Sequence, residues 1–242
     1  MVRKLKYEIE PEFAGYTIEK YLKQKNYSRG CLVFLKKTEE GIKRNGVWAY
    51  TRDKLDAGDV LEILFAEEDS SENIVPVEMK LDIVYEDEDI LVINKPADTP
   101  IHPSQGNYDN SLANGVKHYY ESQGESFVFR CINRLDRDTT GLVVIAKNML
   151  SGAALNQAMV NREIHRTYLA VVKGELPESG TIDFPIARKN GSTVERCVDF
   201  THGERAVTHF ERICPEDICT NEKGAQETCG GDIFITWIVV MI

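Results

Sequence analysis

The sequence predicts an α+β fold in which a small basic module is followed by a larger mixed one. Capped helical segments and alternating apolar segments are interspersed between turn residues. The 242-residue chain has a net charge of -10, yet residues 20–54 carry ten Lys or Arg against three Asp or Glu. Residues 67–90 carry ten acids and one lysine. This asymmetry is typical of a nucleic-acid-facing module beside an acidic connector, but charge alone fits two solvated surfaces equally well.

Helix caps and turn residues define the elements of the first module. Hydroxyl side chains that can cap a helix precede two short amphipathic segments, and an Asn-Gly pair, a strong tight-turn signal, separates two short strands. The predicted elements are a strand at residues 5–9, a helix over Ile18–Gln24 after Thr17, a helix from residue 29 that Gly41 ends, a hairpin turn at 45–46 and a strand at 60–65.

The second module follows a polar, acidic segment and mixes strands with helices. Apolar alternation, β-branched runs and candidate caps identify its elements. They are two strands around an acidic turn within 81–94, a helix over 111–121, a strand at 142–146, a helix from Asn148 to about residue 160, and strands at 166–174 and 205–213.

A polar loop before the strand at 142–146 carries the most prominent candidate site. Asp136 lies between Arg134 and Arg137, so its carboxylate is expected to stay ionised. Gly141 then provides a backbone conformation that few other residues tolerate. An ionised carboxylate fixed at the edge of a strand can attack an electrophilic carbon, or it can be half of an ordinary ion pair.

This loop and strand resemble the catalytic motif of the RluA-type pseudouridine synthases. Asn133 and Thr140 stand where that family usually has His and Ser. Three further segments are similar to family elements: the stretch through Lys95-Pro96 with its following loop, residues 166–174 around Tyr168, and residues 205–210. The positions that match the catalytic motif are Arg134, Leu135, Asp136, Thr139, Gly141, Leu142, Ala146 and Lys147.

The first module resembles an S4-like RNA-binding domain, with Ser28-Arg29 and Lys43-Arg44-Asn45-Gly46 as matching positions. The two resemblances imply a small helical and hairpin domain, then a catalytic domain built on a mixed, largely antiparallel sheet flanked by helices. The predicted division is an S4-like domain at 1–66, an acidic linker at 67–78, an incomplete catalytic domain at 79–220 and an atypical tail at 221–242.

The resemblance implies a cofactor-free and metal-free isomerisation of uridine in structured RNA. Asp136 is then the catalytic carboxylate, Arg134 fills the place of a flipped base, and Tyr168 stacks on the target uracil; without the resemblance Tyr168 is an ordinary half-buried strand aromatic. Attack at C1′ and deprotonation at C2′ both remain open. The residues expected to bind RNA are Arg29, Lys36, Lys37, Lys43, Arg44 and Arg137.

The likeness stops abruptly near Thr220, because the later family motif whose Arg pairs with the catalytic Asp is missing. A frameshift or truncation is one explanation. It leaves open a second function, a catalytically disabled RNA-binding protein. A glycoside-cleaving enzyme is a further alternative, which needs a second carboxylate such as Asp138 beside Asp136.

The expected partner is RNA, with large-subunit ribosomal RNA first and transfer RNA second. No membrane segment is expected, because the longest apolar run, residues 233–242, is too short to span a bilayer. The six cysteines lack a CxxC pair, which favours reduced thiols in the cytoplasm over disulfides. A metal site at Cys214, Cys219 and Cys229 with His202 and His209 matches no common zinc spacing. We expect a monomeric cytoplasmic protein.

Overall fold

The computed structural model describes residues 2–67, 71, 73–174, 176–192, 195–213 and 235–241. The chain divides into two compact units, Met1–Asn161 and Arg162–Ile242. The helices, all in the first unit, are α1 Ile18–Gln24, α2 Arg29–Lys37, α3 Leu112–Glu121 and α4 Met149–Val160, with a 3₁₀ turn at Pro11–Phe13. Its strands are β1 Val2–Glu8, β2 Ile42–Arg44, β3 Val47–Trp48, β4 Val60–Ala66, β5 Ile83–Glu86, β6 Ile90–Lys95 and β7 Gly141–Ala146.

The described strands of the second unit are β8 Thr167–Lys173, β9 Ser179–Arg188, β10 Arg196–Val198, β11 Glu204–Ile213 and β12 Ile235–Met241. They form one sheet in the order β10-β9-β11-β12-β8. All strand pairs among the described residues of both units are antiparallel. The α+β class is confirmed, with the strands divided among three sheets.

The first sheet has the order β1-β4-β2-β3 and packs against α1 and α2. Every second residue of β4 is buried, because alternate side chains of a strand point to one face. The predicted caps form: the Thr17 side chain accepts from the Lys20 N–H, and the Ser28 side chain accepts from the Cys31 N–H. At the predicted hairpin turn, Asn45 and Gly46 have φ of +53° and +80°, the left-handed geometry that this sequence favours.

In the second sheet, β5-β6-β7, α4 packs on β7, and α3 is hydrogen-bonded to Glu86 of β5. Asn148 caps α4 as predicted, since its side chain accepts from the Ser151 N–H. Met149 and Ala153 of α4 pack against the core between the first sheet and its helices. Arg3 of β1 also donates to the carboxylate of Asp89 from Nε, at 3.1 Å, and from Nη2, at 2.9 Å. The first sheet and the second therefore belong to one packed unit.

The acidic segment after β4 begins with a buried carboxylate. Glu67 is only 7% exposed. It accepts from the Met149 N–H at 2.8 Å, at the N-terminus of α4, and pairs with Arg130 at 2.9 Å. A carboxylate at a helix N-terminus is stabilised by the helix dipole. The boundary at residue 67 stays a prediction, but Glu67 is a packing residue of the first unit rather than part of a solvated linker.

Three strands of the second unit were not predicted from the sequence: β9, β10 and β12. The end of the chain, assigned to an atypical tail, contributes β12, which pairs with both β8 and β11. The predicted discontinuity near Thr220 lies outside the described residues, as do Cys214, Cys219 and Cys229.

Candidate active site

The loop that carries Asp136 is attached to β7 by backbone hydrogen bonds on its N-terminal side. The Ala146 N–H donates to the Arg130 carbonyl at 2.8 Å, and the Ile132 N–H donates to the Val144 carbonyl at 2.9 Å. The chain thus runs back along β7 before the polar residues begin. As a result, the loop starts from a fixed point on the sheet.

Asn133 extends this attachment with its side chain. Its Nδ2 donates to the Leu142 carbonyl at 2.9 Å, and its Oδ1 accepts from the Val144 N–H at 2.8 Å. One amide side chain therefore satisfies two backbone groups of β7 as another strand would. Asn133, one of the two residues that depart from the usual family motif, thus fixes the start of the loop.

Asp136 and Arg134 are exposed at the tip of this loop, while Leu135 between them is buried. The Thr139 N–H donates to the Asp136 carbonyl at 3.2 Å and closes a turn. Gly141 has φ +126°, in the region that favours glycine, so the predicted special conformation is confirmed. The loop is anchored by an apolar side chain and presents a carboxylate and a guanidinium to solvent.

Lys95, at the end of β6, holds the far side of the loop and is fully buried. Its ammonium donates to the carbonyls of Pro96 and Thr99, each at 2.9 Å, and to that of Arg137 at 2.8 Å. Burial lowers the pKa of Lys95, and the charges of Asp138 and Asp136 oppose that shift. Because it donates to the loop backbone beside Asp136, Lys95 fixes the loop's path.

From the sequence, Lys95 was assigned only to a segment that is similar to the family, and no role was predicted for it. The signal was present: Leu91 and Ile93 of the same strand are buried, so strict alternation puts Lys95 on the core face. A cation on a core face needs polar partners, and here backbone carbonyls provide them.

Arg137 and His102 complete the surroundings of the loop. The guanidinium of Arg137 is paired with Asp98, with Nε donating to Oδ1 at 2.6 Å. His102 packs edge-to-face on Phe129, with ring centroids 5.3 Å apart. Burial, followed by the positive charge of Arg134, lowers the pKa of His102. The site therefore has one cation engaged with an acid, and a histidine that is disfavoured in its charged form.

Tyr168 lies on β8 in the second unit and is half-buried, in register with Val240 of β12. Asp136 and Arg134 lie in the first unit. The predicted roles of all three side chains remain predictions.

Most of the cations expected to bind RNA have acidic partners within the first unit. Lys36 and Lys23 both pair with Glu19, and their hydrogen bonds lower the pKa of that carboxyl to about 2. Lys43 pairs with Glu40 at 2.7 Å. The two remaining predicted cations of this module, Arg29 and Lys37, are exposed and form no ion pair with any described residue.

Arg44 is held most firmly of these cations. It pairs with Asp56 at 2.7 Å and with Asp59 at 2.6 Å, and it also donates to the Lys54 carbonyl at 2.7 Å. Asp59 is buried. Arg44 therefore has a structural part in the hairpin, whatever its part in binding RNA.

Within the described residues, no group of three or more His, Cys, Asp or Glu could hold a metal ion. The described cysteines, Cys31, Cys131 and Cys197, are free thiols. No helix formed by the described residues is both long and apolar enough to cross a bilayer.

Comparison with known proteins places this site in a family. Residues 89–229 match the family model described as RNA pseudouridylate synthase. An uncharacterized RNA pseudouridine synthase of Bacillus subtilis, YjbO, is 35% identical over 88% of this chain and 75% of its own length. The ribosomal large subunit pseudouridine synthase D of Escherichia coli K12 is 41% identical over 60% of this chain. This chain spans 44% of the length of that relative.

Among solved structures, a human protein, RNA pseudouridylate synthase domain containing 1, aligns with a TM-score of 0.49 at 22% identity, covering 67% of this chain and 59% of its own. The family match covers the loop with Asp136, the β6 end with Lys95 and strand β8. The chain belongs to the RNA pseudouridylate synthase family.

Proposed function

We propose that this protein isomerises uridine to pseudouridine in structured RNA, with Asp136 as the catalytic residue. One observation carries the proposal. The exposed carboxylate of Asp136 sits on a loop whose two sides are fixed by the Asn133 side chain and the Lys95 ammonium. A reacting group held in place by its surroundings avoids the entropic cost of finding its geometry, which is a main source of enzymatic rate.

The reaction begins with a base that leaves the RNA stack, at a cost of about a few kcal/mol. Arg134, exposed beside Asp136, fills the vacated position. On one route Asp136 attacks C1′ as the N1–C1′ bond breaks, and the Asp136–C1′ bond breaks again when C5 bonds to C1′. On the other route Asp136 takes the C2′ proton as the N1–C1′ bond breaks, and that proton returns to C2′ when C5 bonds to C1′. The uracil rotates and its C5 bonds to C1′; the C5 proton leaves and N1 gains one. The product is an isomer of the substrate, so no group is added or lost.

Tyr168 is proposed to stack on the uracil and to assist proton transfer at C5. Arg29 and Lys37, exposed and without acidic partners among the described residues, are proposed to contact backbone phosphates in an S4-like manner. The proposed substrate is large-subunit ribosomal RNA, with transfer RNA second. The name of the Escherichia coli relative, a ribosomal large subunit pseudouridine synthase, supports this order. The proposed place of action is the cytoplasm.

Replacing the catalytic carboxylate tests this function. We expect Asp136→Asn to reduce turnover at least about 10³-fold while RNA affinity stays within about twofold, because the amide cannot act as nucleophile or base but keeps the loop's shape. Tritium release from 5-tritiated uridine in unmodified ribosomal RNA and transfer RNA measures turnover, and filter binding measures affinity.

Asp138→Asn is the matched control, since Asp138 is also an exposed carboxylate of the same loop. It should keep turnover within about tenfold of the unchanged chain. Equal activity of Asp136→Asn and the unchanged chain would remove Asp136 from the mechanism. Binding without turnover by the unchanged chain would instead identify a disabled RNA-binding protein.

A further inference from the structure

Two aromatic rings and a guanidinium form an exposed stack on the hairpin module. Trp48 and Tyr50 are 49% and 56% exposed. Their ring centroids are 5.9 Å apart with an interplanar angle of 28°. The guanidinium carbon of Arg52 lies 5.4 Å from the Tyr50 centroid. We call Trp48, Tyr50 and Arg52 the aromatic platform.

The backbone explains why the rings face outward together. Trp48 ends β3, which is the edge strand of its sheet, and Ala49 is buried. Alternate residues of an extended chain share a face, so the burial of Ala49 puts Trp48 and Tyr50 on the solvent side. The Tyr50 N–H donates to the Asp53 carboxylate at 2.7 Å, which fixes the chain just beyond the strand.

Folding does not account for these exposed rings. Large aromatic side chains stabilise a protein mainly by burial, and each ring of the platform leaves about half of its surface in water. A clustered exposed apolar surface of this kind usually marks a binding site. The two rings are already parallel enough to receive a third flat group.

The charge around the platform indicates the kind of ligand. Arg52 and Lys54 are exposed and form no ion pair with any described residue. Lys43 and Arg44 of the adjoining strand are paired with acids. Asp53, whose carboxylate accepts from the Tyr50 N–H, is the acid between these two cations, so the charge beside the rings is net positive rather than purely positive. It favours a ligand that combines a flat ring with a negative backbone.

We infer that the aromatic platform binds an unpaired nucleobase of RNA, stacked on Trp48 or Tyr50, with the adjacent phosphates near Arg52 and Lys54. This inference rests on the proposed function for the identity of the ligand as RNA. Stacking on aromatic rings tolerates any base, because every base has a π-face. The aromatic platform thus binds a single-stranded nucleotide. This binding adds to the phosphate contacts proposed for Arg29 and Lys37.

Binding of short RNAs by the full-length chain tests the platform. Two fluorescein-labelled oligouridylates of about twelve nucleotides are compared, one of them with central abasic nucleotides that keep the phosphates. The double variant Trp48→Ala with Tyr50→Ala should bind the intact oligonucleotide about 10- to 100-fold more weakly, as expected for one or two lost base stacks. Its affinity for the abasic one should be unchanged.

Conservative and matched variants complete the design. Trp48→Phe keeps a stacking surface and should retain affinity within about threefold. Tyr85→Ala removes a tyrosine of similar exposure, 51%, whose hydroxyl is bonded to Asp87 in an acidic segment, and it should change nothing. The dependence of log Kd on log salt should keep its slope in the aromatic variants and become shallower in Arg52→Gln, since only the latter loses a phosphate contact.

The outcomes separate the platform from the proposed function. Equal binding of the intact oligonucleotide by the double variant and the unchanged chain would overturn the platform, while pseudouridine formation measured in parallel would still stand or fall by itself. No RNA binding by the unchanged chain would overturn both. A Trp48-dependent dimer in sedimentation, with RNA affinity unaffected, would show that the rings cover a second copy instead.

Discussion

Lys95 shows how a single buried charge can organise the loop that carries Asp136. Its ammonium has three carbonyl partners, which come from the end of β6 and from the loop with Asp136. An ammonium has three N–H donors, and here all are used without any carboxylate. The end of β6 and the loop with Asp136 therefore share one hydrogen-bonding centre.

We expect Lys95→Met to lower kcat about 10²-fold and to leave RNA affinity within about twofold. The methionine fills similar volume but cannot hold the Arg137 carbonyl, and a shift of about 1 Å in a reacting group costs on this order. Stability should fall by about 1–3 kcal/mol, because carbonyls in a buried region lose their donor. Single-turnover kinetics and urea unfolding measure the two effects.

Lys80→Met is the control for Lys95→Met, since Lys80 is exposed and should tolerate the change. A Lys95→Met protein with full kcat would mean that the loop keeps its path without this cation.

Asn133 marks what residue patterns could and could not predict at the site. The motif predicted Asp136 and Arg134 as site residues, which stays a prediction, and it predicted the special backbone of Gly141, which is confirmed. The way the loop is held was not predictable, because the Asn133 amide pairs with the backbone of Leu142 and Val144. Every residue type offers the same backbone carbonyl, so the partner's residue type does not indicate such a bond.

At the scale of elements, Glu86 joins β5 to α3 and to the end of β7. Its carboxylate accepts from the hydroxyls of Tyr119 and Tyr120, both at 2.9 Å, and from the Lys147 ammonium at 2.7 Å. Burial alone would raise the pKa of Glu86, but these hydrogen bonds, from Lys147 first, outweigh it and lower the pKa below its usual range.

The lowered pKa of Glu86 makes stability depend on pH. Between the folded pKa and about 4.5, the unfolded chain binds more protons than the folded one. Glu86 therefore contributes stability above about pH 4.5, and this contribution is lost as pH falls through the folded pKa. We expect Glu86→Gln to cost about 1–2 kcal/mol at pH 7 and to flatten the acid side of the profile.

Urea unfolding at pH 3.5 to 7 checks this prediction. Glu125→Gln, at an exposed carboxyl near the end of α3, is the control and should leave the profile unchanged. The same acid loss of stability in Glu86→Gln as in the unchanged chain would assign that loss to other carboxyls.

The elements differ in how well the sequence predicted them, and the difference follows from the range of their interactions. Helices α1, α2 and α4 were predicted with their caps, because a cap is a bond between residues three apart. Strand β12 was missed because its partners are β8, some 70 residues earlier, and β11. No local pattern identifies such a partner.

At the scale of the whole molecule, the described residues form two units, divided between Asn161 and Arg162. The division predicted at residue 67 followed a change of composition and stays a prediction. Within the first unit, the N-terminal core packs against α4. The amino-acid composition of a segment mainly reflects how exposed its residues are. The docking of a helix with small side chains, such as Gly152 and Ala153, changes that composition little.

Arg29 and Lys37, the two predicted RNA-binding cations without an ion pair to any described residue, should contribute to how salt affects RNA binding. We expect the double variant Arg29→Gln with Lys37→Gln to reduce the slope of log Kd against log salt by about 1.4–1.8, as for two lost phosphate contacts. Filter binding at 50 to 300 mM salt measures the slope. Lys23→Gln removes an exposed lysine that is already paired with Glu19 and should reduce the slope by less than half of the reduction in the double variant. Identical slopes in all variants would mean that α2 does not contact the phosphates of the RNA.

The core that α4 shares with the N-terminal sheet has a consequence for how the enzyme selects its target. The strand and helices that would grip RNA and the loop that bears Asp136 belong to one packed unit. A nucleotide bound at the hairpin would then lie at a fixed distance from the Asp136 carboxylate. The protein would therefore select a uridine mainly by its distance from the nucleotide that is bound at the hairpin, and only secondarily by the bases around it.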